Sequence, residues 1–170
     1  MPDIHQAVLI GADSEKVFDA LTQQQGVAGW WTPEAQIRPD LNSTARFPFG
    51  PDYFKEMIIT ALKPAEFVQW DCIHGADEWV GTTISFRLIP GSKASLLKSY
   101  PEIRGQIEQQ SNDIVTLLIF RHDNWKGFTL MFAECSYTWA QFLKSLKLYC
   151  ETGLGMPWPD QHRTVKSKMP

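Results

Sequence analysis

The chain has 170 residues, of which 44% are hydrophobic and 21% are charged, and its formal net charge is −3 at pH 7. These totals are typical of one globular domain, which we expect over residues 1–160, followed by a flexible tail over residues 161–170. With no block of lysine or arginine, the charge argues against binding to nucleic acid or to an acidic membrane surface. No apolar run is long enough to span a bilayer and the first residues lack the pattern of a signal peptide, so we expect a cytoplasmic protein.

The cysteine and histidine residues favour neither a disulfide nor a metal centre. Cys72, Cys135 and Cys150 are odd in number and have no paired spacing, which favours free thiols in a reducing compartment. Residues 71–78 group one cysteine and one histidine with three acidic side chains. Zinc needs three or four ligands in a tetrahedral array, so a solvated turn is the favoured interpretation here. We predict neither a metal nor another cofactor.

The first part of the chain predicts one strand followed by two short helices. Residues 4–10 alternate as expected for a strand. Residues 13–21 predict a short helix with an aspartate at the N-cap position. Residues 23–29 predict a second short helix or turn, which leads to two consecutive tryptophans.

The middle of the chain predicts an antiparallel sheet. Six strand-like segments follow one another, two weak and then four clear, at residues 36–38, 43–47, 53–61, 66–72, 78–89 and 113–122. The connection between the third and fourth of these segments is short enough for a hairpin, which indicates antiparallel pairing.

The last predicted strand has two apolar faces. Ile114, Leu118, Phe120 and His122 share one face, and Val115, Leu117 and Ile119 share the other. Such a strand is either central in the sheet or covered on both sides. The second arrangement requires a dimer contact or the segment that precedes the strand.

Residues 92–110 form an insertion between the last two strands. The segment is polar, yet apolar residues recur in it at helical spacing: Leu96, Tyr100, Ile103 and Ile107. The pattern Ser99-x-x-Glu102 is typical of a capping box. We interpret the insertion as a helical excursion that is a lid over a pocket, a dimer contact or a plain surface segment.

Residues 130–153 predict one long amphipathic helix. Its inward arc holds Met131, Phe132, Cys135, Trp139, Phe142, Leu143, Leu146, Tyr149 and Cys150. Its outward side holds Glu134, Gln141, Lys144, Lys147 and Glu151. So broad an apolar stripe must be covered, and the predicted strands are the available partner.

Several stretches of the chain resemble one known family. They are VFDAL at 17–21, WW at 30–31, FVQW at 67–70 after Pro64, WVGT at 79–82, FRHDNW at 120–125, and WAQFL, SLK and ETG at 139–143, 145–147 and 151–153. Together they cover nearly the whole chain, and the final helix is the most specific part. The sequence is similar to the family related to the C-terminal domain of the activator of Hsp90 ATPase, within the START/Bet v 1-like superfamily.

The resemblance implies an α+β helix-grip fold. In this fold a curved antiparallel sheet of six to seven strands wraps around one long C-terminal helix, with two short helices after the first strand. It also implies a hydrophobic cavity between the helix and the sheet. Many members of the broad superfamily bind apolar small molecules there, and we expect the same of this protein.

The predicted ligand-binding residues are mostly aromatic. They are Trp30, Trp31, Phe47, Phe49, Trp70, Phe86, Phe120, His122, Cys135, Trp139 and Phe142. The alternative is that most of these rings fill the core, where each buries apolar surface. Seven tryptophans in one chain of this length favour a residual cavity, because large rigid rings leave gaps more readily than aliphatic chains.

Two other functions remain open at this point. His122 on the inward face is a candidate general base, alone or with Cys135, and would make the protein an enzyme of hydrolase or cyclase type. The alternative is a histidine that is merely hydrogen-bonded near a strand end. The resemblance also implies a chaperone-associated interaction module in a stress response. Tyr137 and Leu148, apolar on the outward helix face, are isolated exposed residues or a homodimer contact.

Overall fold

One antiparallel sheet of six strands carries the structure, a computed structural model that describes residues 1–164. Its strands are β1 Ile4–Ile10, β2 Thr44–Pro48, β3 Phe54–Lys63, β4 Phe67–His74, β5 Thr83–Ser92 and β6 Ile114–Asp123. They lie in the order β1-β6-β5-β4-β3-β2. The order runs through sequence neighbours except at one edge, where β1 pairs with β6.

Five helices within residues 1–164 accompany the sheet. They are α1 Ser14–Thr22, α2 Gln24–Trp30, α3 Lys93–Ser99, α4 Arg104–Glu108 and α5 Leu130–Thr152, with a 3₁₀ turn at Pro101–Ile103. The curved sheet, the two short helices after β1 and the long final helix confirm the predicted helix-grip fold. No helix within residues 1–164 combines the length and the hydrophobicity needed to span a membrane.

The helix ends follow from their capping residues. The side chain of Asp13 accepts a hydrogen bond from the backbone N–H of Lys16 and so caps α1. The side chain of Thr129 does the same for the N–H of Phe132 at the start of α5. Gly153 ends α5 in the left-handed conformation, at φ 84°, which a glycine adopts without a steric penalty.

Two predicted strands are shorter than expected. Residues 36–38 contribute only an isolated bridge between Gln36 and Arg46. The strand predicted from residue 78 begins at Thr83, because the preceding residues form a turn in which Gly81 has φ 90°. The Thr82 hydroxyl closes this turn by donating a hydrogen bond to the backbone carbonyl of Trp79.

The insertion packs on the sheet face opposite α5. Apolar side chains of α3, α4 and the 3₁₀ turn form a second core with β1 and β6: Leu9, Leu96, Ile103, Ile107, Val115 and Leu117. β6 is therefore both central and covered on its second face. The insertion does not lie over the space beneath α5, so the lid interpretation is wrong. The predicted capping box is also wrong, because Ser92 and Ser95 form the box and Ser99 ends α3.

The main core lies between the sheet and α5. Along α5 the buried residues are Trp139, Phe142, Leu143, Ser145, Leu146 and Cys150, while Phe132, Cys135 and Tyr149 are partly buried. Met131, predicted to face inward, is 38% exposed because it lies in the first turn of the helix, where the sheet no longer covers it. The inward arc predicted from the sequence is otherwise the arc that contacts the sheet.

Candidate ligand-binding pocket

A pocket of about 550 Å³ lies beneath the first half of α5. Its walls come from α5, from the start of β3, from the turn before β5 and from the segment after α5. The lining residues are Trp31, Phe49, Tyr53, Lys55, Ala76, Trp79, Met131, Glu134, Cys135, Thr138, Trp139, Phe142, Trp158, Gln161 and His162. A volume of this size is within the range of known small-molecule sites.

Five of the predicted ligand-binding residues line this pocket. They are Trp31, Phe49, Cys135, Trp139 and Phe142. Trp31 is the centre of the group: its ring lies 5.3 Å from that of Trp139 and 5.6 Å from that of Phe49. Rings held by so many neighbours form a rigid wall rather than one that adapts to each guest.

The other six predicted residues do not line the pocket. Trp30, Phe47, Trp70, Phe86 and Phe120 are fully buried and pack against one another, and His122 lies with them. The ring of Trp70, for example, stacks on Trp31 at 5.8 Å and meets Phe86 edge-on at 5.0 Å. For these rings the alternative interpretation, core packing, describes the structure.

Lys55 is a buried polar residue of the pocket that was not predicted from the sequence. Its side chain is only 8% exposed, and it points inward from β3 on the same face as Met57 and Ile59. The ammonium nitrogen lies over three aromatic rings, 4.0 Å from Phe49, 4.7 Å from Tyr53 and 4.5 Å from Trp79. The period-2 alternation of β3 was a signal that could have found it.

The ammonium group of Lys55 has no anionic partner within residues 1–164. Its Nζ atom makes no ion pair within 4.0 Å, and the geometry gives it no hydrogen bond to this part of the chain. Burial, partly offset by the nearby Cys135 and Cys72 thiols, lowers the pKa of Lys55 to about 8. The face of each ring still attracts the charged form.

Two further polar groups lie near this lysine. The Tyr53 hydroxyl accepts a hydrogen bond from the backbone N–H of Ala76 at 3.1 Å, which leaves its own proton free to donate. Burial raises the pKa of Tyr53 and also that of the Cys135 thiol, so both groups are protonated at neutral pH. Beside the ammonium group of Lys55 the pocket thus offers two neutral donors, the Tyr53 hydroxyl and the Cys135 thiol.

The segment after α5 closes one side of the pocket. The backbone N–H of Trp158 donates a hydrogen bond to the carbonyl of Trp31 at 2.7 Å, and its ring meets that of Phe49 edge-on at 6.0 Å. Gln161 and His162, which begin the predicted flexible tail, also lie beside the pocket. Of that tail, residues 165–170 lie outside the described residues.

His122 has no free ring nitrogen. It accepts a hydrogen bond from the indole N–H of Trp139 at 3.0 Å, and its other nitrogen is 2.8 Å from the Thr82 hydroxyl. Burial and the charge of Lys55 lower the pKa of His122 to about 3. It is therefore a neutral, satisfied core histidine that does not line the pocket, and this geometry opposes the general-base hypothesis and the pairing with Cys135.

The cysteine, histidine and acidic side chains of residues 71–78 do not bring their ligand atoms together as a metal site would require. Cys72 is buried, whereas the exposed His74 stacks on the ring of Phe54 at 4.3 Å. A different group, Asp3, His5 and Asp123, brings its ligand atoms within 4.8 Å of one another at the surface.

A curved antiparallel sheet closed by a long C-terminal helix, with an aromatic pocket under the helix, defines the START/Bet v 1-like class of proteins. The family model described as activator of Hsp90 ATPase homolog 1-like protein matches residues 11–151. The chain belongs to this family, as the sequence resemblance predicted.

Solved structures share the fold of this chain. The Aha1 dimer from Colwellia psychrerythraea is 30% identical over 91% of this chain and 100% of its own, with a TM-score of 0.70. The protein SSP2350 from Staphylococcus saprophyticus is 14% identical over 91% of this chain and 95% of its own, with a TM-score of 0.65. DynU16, from the dynemicin biosynthetic locus, is 18% identical over 90% of this chain and 48% of its own, with a TM-score of 0.62. A comparison with curated proteins gave no match.

Proposed function

We propose that this protein binds an apolar small molecule in the pocket beneath α5. The observation that carries the proposal is the pocket itself, about 550 Å³ in volume and walled by the rings of Trp31, Phe49, Trp139 and Phe142. Burial of an apolar guest against these rings is favourable by about 25 cal/mol for each Å² removed from water. Since the rings are already held in place, the protein loses little conformational entropy on binding.

The wall of the pocket supplies its own optical probe. Trp31, Trp79, Trp139 and Trp158 all line it, so a bound molecule changes the intrinsic fluorescence of the protein. We would screen lipids, aromatic compounds and polyketide-like compounds by thermal shift and native mass spectrometry. Fluorescence titration would then measure the affinity of each hit.

A pair of matched variants tests where the molecule binds. Thr138 lines the pocket, so Thr138→Trp should fill it and abolish binding. Ala140 lies two residues further along α5 and is exposed, so Ala140→Trp should bind as the wild type does. Failure of every compound class to bind, or unchanged binding by Thr138→Trp, would count decisively against the proposal.

A second candidate function is that of a chaperone-associated interaction module. Membership of the Hsp90-activator family favours it. The most exposed apolar side chains near the start of α5, Phe128 at 85% and Leu130 at 86%, are suited to a protein contact. A purified Hsp90 should then gain ATPase activity with the wild type and less with a Phe128→Ser, Leu130→Ser double variant. No change in ATPase rate with the wild type would reject this function.

We propose separately that this protein forms a homodimer. The relative from Colwellia psychrerythraea is described as a dimer, and it is matched over its full length. Light scattering after size exclusion should then give a mass of about 39 kDa, twice the 19.4 kDa of the chain. A mass of one chain at all concentrations tested would exclude it.

A further inference from the structure

The buried ammonium group of Lys55 indicates what kind of molecule the pocket receives. We propose that the pocket selects apolar molecules that carry one anionic end, with a carboxylate as the simplest form, and that Lys55 binds this end. The inference rests on the proposed binding function and specifies its ligand class. It goes beyond it because an apolar cavity by itself has no preference for an anion.

The charge of Lys55 is costly to bury without a partner. A buried ammonium group without a counter-ion is unfavourable, and contacts with aromatic faces recover only part of the loss. Lys55 lies over three such faces and still lacks an anion among residues 1–164. A carboxylate brought by a ligand supplies the missing partner.

No acid among residues 1–164 already pairs with Lys55. The titratable groups that lie near Lys55, line the same pocket or interact with the neighbouring Cys135 come from the turn before β3, from β4, β6 and α5, from the turn before β5 and from the C-terminal segment. They are Tyr53, Cys72, Glu78, His122, Glu134, Cys135 and His162. Of the two carboxylates among them, Glu78 accepts a hydrogen bond from Thr129 and Glu134 one from Thr138, and neither pairs with the lysine.

The position of Lys55 relative to the apolar walls also favours such a ligand. The Lys55 ammonium group lies beside Phe49, Tyr53 and Trp79, whereas Trp139 and Phe142 line the pocket along α5. A molecule with an apolar body and an anionic end therefore satisfies the rings and the lysine at once. The free proton of the Tyr53 hydroxyl is available to donate to the same anion.

A pair of ligands that differ only in the end group tests this inference. Decanoate and 1-decanol, below their aggregation concentrations, have the same apolar chain, and only decanoate is an anion. We expect the wild type to bind decanoate about tenfold more tightly than decanol at pH 7, the ratio that about 1.4 kcal/mol produces. Lys55→Met should remove this preference while it keeps the affinity for decanol.

Two controls separate the lysine from general effects. Lys63→Met makes the same substitution at the exposed end of β3 and should keep the wild-type preference. The pH dependence needs no variant: the affinity of the wild type for decanoate should fall as pH rises above about 8, where the free protein loses the charge of Lys55, while that for decanol stays level.

The binding results distinguish a failure of the proposed role of Lys55 from a failure of the proposed binding function. Equal affinity of the wild type for both compounds, or a preference that survives in Lys55→Met, overturns the role of Lys55 and leaves the binding function standing. No binding of either compound or of any other apolar molecule overturns both.

Discussion

The indole N–H of Trp139 donates a hydrogen bond to Nδ1 of His122 across 3.0 Å inside the core. Since an indole nitrogen is only a donor, Nδ1 must be unprotonated, and the proton of the neutral ring is on Nε2. Nε2 then donates to the Thr82 hydroxyl at 2.8 Å, and this hydroxyl donates to the carbonyl of Trp79 at 2.6 Å. The chain of hydrogen bonds fixes one tautomer and connects α5, β6 and the turn before β5.

Acid should destabilise the protein through His122. The folded protein holds its pKa at about 3, whereas the unfolded chain returns to about 6.5. Below pH 6.5 the unfolded chain therefore binds a proton that the folded protein does not bind until pH falls to about 3. The free energy of unfolding should decrease across this window by up to about 1.4 kcal/mol per pH unit. Urea unfolding at pH 6, 5 and 4 measures the slope.

The substitution His122→Gln isolates this contribution. A glutamine is able to accept from Trp139 and to donate to Thr82, but it does not titrate, so the slope should become flatter by about one proton. His74→Gln, at an exposed position, should keep the wild-type slope. An unchanged pH dependence of stability in His122→Gln would show that His122 has the same pKa in the folded protein as in the unfolded chain.

Reactivity of the three free cysteines should follow their position in the fold. Cys135 is partly buried and lines the pocket, whereas Cys72 and Cys150 are 3% and 1% exposed. Burial raises the pKa of all three thiols, to about 12 for Cys150, so labelling should be slower than for a free cysteine and should accelerate with pH. Mass spectrometry after N-ethylmaleimide treatment should find Cys135 labelled first.

The variant Cys135→Ser provides the comparison for this labelling. It should lose the first adduct and leave the two slow sites unchanged. If Cys150 reacted first instead, the C-terminal half of α5 would have to open more readily than the pocket.

The long helix and the sheet were predictable because their signals are periodic. In α5, Trp139, Phe142 and Leu146 recur at helical spacing, and they are the residues that contact the sheet. Periodicity did not predict which aromatic rings line the pocket and which fill the core. Trp70 and Phe49 are alike in the sequence, and only the position of α5 over the sheet decides which of them meets the open space.

Two parts of the site were missed for different reasons. Lys55 shares the inward face of β3 with Met57 and Ile59, so the alternation of the strand places it there, but lysine is rarely buried and composition alone favours an exposed position. Trp158 follows a segment rich in glycine and proline, which has no periodicity. Its place in the pocket wall depends on a backbone hydrogen bond to Trp31, a tertiary contact that local sequence does not encode.

The insertion should contribute to stability and not to binding. Leu96 is 3% exposed in the second core, on the sheet face opposite α5. Leu96→Ala should lower the free energy of unfolding by about 2–5 kcal/mol, because it removes buried apolar surface and leaves a cavity. Ligand affinity at a temperature where the variant is folded should stay within about twofold of the wild type.

The neighbouring exposed residue Lys98 gives the control for this helix. Lys98→Ala on the same helix should change neither quantity. A loss of affinity in Leu96→Ala at unchanged stability would instead connect the insertion to the pocket.

Gly155 should be required for the closed pocket. A Cβ atom at this position would lie 2.4 Å from the carbonyl oxygen of Gly29 and 3.0 Å from that of Ser145, and backbone atoms cannot rotate away. Gly155→Ala should therefore displace the segment that holds Trp158 against Trp31, at a cost of about 1–3 kcal/mol in stability. Because Trp158 lines the pocket, ligand affinity should fall as well.

Gly127→Ala is the matched control for this substitution, since its Cβ would meet no atom within 4 Å. That variant should keep both the midpoint of thermal unfolding and the ligand affinity of the wild type. If Gly155→Ala lost stability but bound ligand normally, the segment after α5 would support the fold without forming the wall of the site. If it lost neither, the close approach of Gly155 to the carbonyl of Gly29 would not exist in solution.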